Sequence, residues 1–146
     1  MKRLVSLASV LSFAFAVSLA AQATPPAAKS TIATEADYAT HMKEVGQLNG
    51  VLNKSIKGGM ADEAGKAAAR MEVLFKNVHA YWTEKKVDDA TTASQTAVTA
   101  LQAVQKALAA NDMMAAETAR ATLASACMTC HTAHREKTPE GGWKMK

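Results

Sequence analysis

Along most of this chain apolar residues return every three or four positions, the spacing that gathers them on one side of a helix. Between 35 and 57 the stripe is Tyr38, Met42, Val45, Leu48, Leu52 and Ile56. Thr34 reads as its N-cap, Asp37 completes a variant capping box, and Gly58-Gly59 ends it. From about 62 to 84, Ala64, Ala67, Met71, Leu74, Val78 and Tyr81 share a face, with Phe75 and Trp82 beside them. A third stripe over about 89 to 110 carries Ala97, Leu101, Val104 and Leu108. A fourth helix, capped at Asn111 or Asp112, presents Ala116, Ala119, Leu123, Cys127, Cys130 and His134 and is expected to reach 137 before Pro139 stops it. No segment alternates with period two, so strands are not expected. Helices of about 20 residues span roughly 30 Å. Links this short between them predict an all-α, antiparallel up-down-up-down four-helix bundle.

The first residues follow a different pattern. Lys2 and Arg3 precede an almost unbroken apolar run from Leu4 to Leu19, and Ala21-Gln22-Ala23 gives a small-x-small cleavage pattern. At about 16 residues the run is shorter than the roughly 20 that cross a bilayer, so residues 1–23 read as a cleaved signal peptide rather than an anchor. The expected organisation is then a flexible leader over 24–33 containing Pro25-Pro26, a helical domain over 34–138, and a tail over 139–146. Export implies a periplasmic location, and with no other long apolar run the mature chain has no stable membrane insertion.

Charge then changes little. The chain carries a formal +4, which falls to +2 once Lys2 and Arg3 leave with the signal. No clustered Lys/Arg face of the kind that tracks phosphates remains, so a nucleic-acid partner is not expected. Alanine outnumbers the large apolar residues in the stripes, which allows either close helix packing or room for something bulky.

The chemistry lies in Cys127-Met128-Thr129-Cys130-His131. A disulfide across so short a loop would constrain the unfolded chain very little. A redox dithiol belongs at a helix N-terminus after a strand, and a structural zinc site needs four converging ligands. Here the pair sits deep in a helix and there is no second pair. On one helical turn the two thiols can each join a haem vinyl group, while His131 offers an imidazole to the iron from the same face. Cys-x-x-Cys-His is the signature of haem c attachment, so one covalent haem is the expected cofactor.

With this motif near the end of the last helix, the chain resembles the cytochrome c′ superfamily of four-helix-bundle c-type cytochromes. Met42-Lys43-Glu44-Val45-Gly46 in the first helix, Tyr81-Trp82 leading to Asp88-Asp89, and Arg135 four positions after His131 add to the resemblance. It implies that His131 is the proximal iron ligand, that Arg135 belongs to the haem environment, and that the distal face meets the first helix at Met42. One departure is Tyr38, which stands where members often carry an Arg near a haem propionate; its phenol could still donate there. Homodimers are frequent in the family.

Distal Met would give six-coordinate, low-spin iron, suited to one-electron transfer with redox partner proteins and no enzymatic chemistry. An open distal face would instead bind gases such as nitric oxide or carbon monoxide. Gly46 and Gly50, each one turn further on from Met42, are read as permitting close approach of the first helix to the porphyrin or to its neighbour. His41 points about 100 degrees around the helix from Met42. His79 reads as a surface residue, and His134 as one that approaches a haem edge or a partner helix without ligating. Trp143, after Gly141-Gly142, either folds back as a lid or belongs to the tail.

Overall fold

The structure is a computed structural model, and it describes residues 29–146. The signal-peptide reading, with residues 24–28 of the leader, lies outside the described residues. Four helices pack against one another: α1 (Glu35–Lys57), α2 (Ala61–Lys85), α3 (Asp88–Ala109) and α4 (Met113–His134). The expected stripes are the buried faces, with Leu52, Met71, Leu101, Val104 and Leu123 fully enclosed.

Local chemistry explains the helix ends. The Thr34 hydroxyl accepts from the Asp37 N–H while the Asp37 carboxylate accepts from the Thr34 N–H at 2.9 Å, a reciprocal capping box. The Asp112 carboxylate accepts from the Ala115 N–H at 2.8 Å to open α4. Each link turns on one residue in the left-handed region, Gly59 (φ 69), Lys86 (φ 56) and Asn111 (φ 56). Links of two or three residues cannot carry the chain back along a helix, and the cross-helix pairs show the antiparallel order directly. Glu44 meets Arg70 and Tyr38 meets Trp82 across α1 and α2, and His79 meets Thr91 and Asp89 meets His134 in the two following pairs.

Two segments differ from expectation. Residues 29–33, read as part of a flexible leader, are anchored: the Ser30 N–H donates to Glu84 Oε1 at 2.9 Å, its hydroxyl donates to the Asn77 carbonyl, and Ile32 joins the core. The fourth helix stops at His134 instead of continuing to 137. Arg135 already has extended backbone, and β1 (Arg135–Lys137) pairs antiparallel with β2 (Trp143–Met145). The supposed tail is thus half of a hairpin. Gly141 takes φ 82 in the five-residue loop, and the Gly142 N–H donates to Thr138 Oγ1 at 3.0 Å. The ladder gives these backbone groups partners that a last helical turn running into Pro139 would lack.

The bundle is unequally closed. Its far end is sealed by Leu52, Ile56, Ala64, Leu108 and Ala116, all buried. Helix α3 packs closely against both α2 and α4 and α1 lies against α2, but α1 and α4 scarcely touch. That seam opens beside the cysteines.

Candidate functional site

Two connected hollows occupy the open seam. The larger, about 560 Å³, is bounded by Tyr38 and Met42 of α1, Trp82 of α2, Cys130, His131 and His134 of α4, and the hairpin. The smaller, about 190 Å³, runs deeper past Val45, Phe75, Val78 and Ala97 to Cys127. Tyr38, Met42, Cys130, His131 and Arg135 line both. The larger volume falls within the roughly 300–1,000 Å³ of ligand pockets. The six residues singled out from the sequence, Tyr38, Met42, Cys127, Cys130, His131 and Arg135, therefore converge on one region.

Their environments differ in useful ways. Cys127 and Cys130 are unpaired and partly buried. Burial pushes the Cys127 thiol up to about 11, with the neighbouring Cys130 adding to the shift. Burial raises Cys130 too. Both stay protonated at neutral pH, opposite to the stabilised thiolate of a redox dithiol. His131 is shifted the other way: burial, and then the Arg135 cation, hold its imidazole below the usual histidine range and hence neutral, the form in which histidine binds a metal. Arg135 Nη1 lies 3.3 Å from His131 Nδ1. A guanidinium has only donors, so Nδ1 accepts and the imidazole proton sits on Nε2.

Tyr38 is 9 % exposed, and its hydroxyl accepts from Trp82 Nε1–H at 3.1 Å. Burial raises its phenol well above the ordinary range, so it remains a neutral hydroxyl. Its own hydrogen finds no acceptor among the described residues. Trp82 also packs against His134, with ring centroids 5.3 Å apart, and His134 Nε2 meets Asp89 Oδ2 at 2.9 Å. His134 thus joins α4 to the start of α3. His41 is turned to the Asp37 carbonyl at 3.0 Å and lines neither hollow. His79 is partly buried rather than on the surface, with Nδ1 near the Thr91 carbonyl. No three His, Cys, Asp or Glu side chains among the described residues group into a metal cage.

A Cβ added at Gly46 or Gly50 would meet no protein atom within 4 Å, so close approach to a neighbouring helix does not require these glycines, and approach to a porphyrin is the part of the expectation that stands. Trp82 and Met145 are wall residues that the sequence reading did not single out for the site. Trp82 resembled an ordinary core residue, and Met145 enters only because the hairpin folds back. The signal for that fold was present in Thr138-Pro139-Glu140-Gly141-Gly142, a turn-forming run between two short extended stretches.

Comparison with protein families, curated proteins and solved structures returns no match for this chain.

Proposed function

We propose that the chain is an exported c-type cytochrome resembling the cytochrome c′ superfamily, holding one haem c and passing single electrons between redox partner proteins in the periplasm. The observation that carries this reading is the convergence of Cys127, Cys130 and His131 from α4 with Met42 from α1 on the hollows where those helices barely meet. Among the described residues no helix is long and apolar enough to cross a membrane.

The residues present fit a haem. The walls are apolar where a porphyrin would lie, the imidazole is neutral, and Arg135 Nε is buried without a hydrogen-bond partner, a vacant donor suited to a carboxylate. Haem c would supply a one-electron ferric/ferrous couple. Cys127 and Cys130 would hold it through thioethers, and His131 and Met42 would ligate its iron. A neutral thioether favours the ferrous state and raises the potential. To ligate through Nε2, His131 would carry its proton on Nδ1, and the Arg135 donors now at that nitrogen would serve another acceptor. Tyr38, with its proton free, is a second donor at the same wall.

A gas-binding reading has one observation in its favour. The first helix carries Gly46 and Gly50 in its interior without a packing requirement and scarcely touches α4. Met42 lies on this helix, across the open seam from Cys130 and His131.

Mass spectrometry and carbon monoxide titration of the secreted protein test both readings. The expected mass is the mature chain plus one haem, and the reduced spectrum is expected to be low-spin and indifferent to carbon monoxide until Met42→Ala opens the site. Gas binding by the unsubstituted protein would move the assignment to a gas-binding cytochrome. A colourless protein with free thiols would overturn both.

A further inference from the structure

The C-terminal hairpin is short and could not stand alone, since two-stranded ribbons are marginal in water. It is fastened to α4 at one end of its ladder, where Lys146 follows the Arg135–Met145 pair. The Lys146 N–H donates to the His134 carbonyl at 3.1 Å and Lys146 Nζ to the Thr132 carbonyl at 2.9 Å, while Lys144 and Glu136 pair at 3.1 Å across the ribbon. Strand alternation puts Arg135, Lys137, Trp143 and Met145 on one face. Trp143 and Met145 line the larger hollow, yet Trp143 remains 53 % exposed, a large apolar side chain that no core burial explains.

What Trp143 does touch is Arg135. The guanidinium carbon lies 3.7 Å from the centre of the Trp143 ring, and Lys137 Nζ lies 5.5 Å from it. Among the described residues no carboxylate pairs with Arg135. Its Nε is buried and unpartnered, and its one polar contact is the His131 nitrogen. A long cation with so few partners would ordinarily reach into water, because ordering it costs rotamer entropy and burying its charge costs solvation. A cation over an indole face is the compensation this site contains. Contact with the ring holds the guanidinium at this wall of the cleft.

We propose that the hairpin is a strap over the open edge of the cleft and that Trp143 is a positioning residue, clamping Arg135 beside His131 so that its guanidinium is held at the wall of the hollow for a carboxylate there. The functional consequence rests on the haem reading; the clamp itself does not. A fixed positive charge near the iron favours the less positive ferrous state, so the strap raises the reduction potential through Arg135.

The test is a double-substitution cycle on the full-length secreted protein, with reduction potential as readout and far-ultraviolet circular dichroism checking the helices. Trp143→Ala and Arg135→Gln are each expected to lower the potential by similar amounts, and the double variant to fall no further than Arg135→Gln alone. Trp143→Phe, which keeps a ring face, should retain more than half of the difference and guards against a misfolded alanine variant. An unchanged potential in Trp143→Ala, or additive losses, would overturn the proposal. If the unsubstituted protein carries no porphyrin, the haem reading fails separately. The clamp is then judged by the Arg135 Nε–H resonance in the free chain. It should be ring-shifted and slow to exchange, and move in Trp143→Ala; an unmoved signal would overturn the clamp.

Discussion

Tyr38→Phe isolates one buried polar contact at the wall of the site. The substitution keeps the ring and its tilted contact with Tyr81 at 5.1 Å and its edge contact with Trp82 at 5.6 Å, and removes only the oxygen. Trp82 is 6 % exposed, so its Nε1–H loses the one acceptor it has. Stranding a buried donor costs about 1–3 kcal/mol, and because Trp82 borders the open hollow, where water can partly reach it, we expect about 1–2 kcal/mol. Urea unfolding of the chain without haem, followed by far-ultraviolet circular dichroism, should show a midpoint lower by roughly 1 M. Repeating it with Trp82→Phe and the double variant should give a coupling of about 0.5–1.5 kcal/mol, the net worth of a hydrogen bond. The sign of the pH dependence follows from the raised phenol. The unfolded chain releases this proton near its ordinary value of 10.0 while the folded chain keeps it, so the contribution is complete below that pH and declines above it. A Tyr38→Phe midpoint equal to the original, or strictly additive losses in the cycle, would refute the hydrogen bond as a stabilising contact.

Three further outcomes follow from the same structure. Glu72 joins α2 to α3, accepting from Gln102 at 3.0 Å and Gln105 at 2.6 Å and pairing with Lys76 at 2.8 Å, and these donors, the Lys76 contact first, draw its carboxyl down to about 2. Its stabilisation is present above the ordinary glutamate range and is lost as pH falls toward that value; Glu72→Gln should lower thermal stability near neutrality by about 1–2 kcal/mol and flatten the acid limb, and an identical pH profile would contradict it. In the haem-free chain at about pH 8, alkylation of Cys127 by iodoacetamide should be at least about tenfold slower than in urea, because its thiol is pushed up to about 11; equal rates would show that it is not buried. Lys86 closes α2 with φ 56, and Lys86→Gly should stabilise the bundle by about 0.5–1 kcal/mol in thermal unfolding, whereas a loss would mean that the lysine side chain compensates for its backbone.

By itself the sequence determined what depends on neighbours three or four positions away. The four apolar stripes, the Thr34–Asp37 box, a cap at Asn111 or Asp112 (Asp112 in the structure) and the placing of Cys127, Cys130 and His131 on one turn of α4 were all legible, because helical periodicity and capping are local. Only the tertiary structure decided where those turns face. The gap between α1 and α4 arises because α1 finds its partner surface on α2, and Tyr38 is locked by Trp82, 44 positions away. His134 was legible as an inward residue, but its partner Asp89 comes from α3. The end of α4 was misplaced for the same reason: residues 135–137 are acceptable helix formers, and it is pairing with 143–145 and the stack of Arg135 on Trp143 that draws them into a strand. Local propensities differ by less than about 1 kcal/mol per residue, so contacts made by distant residues override them wherever the chain turns back on itself.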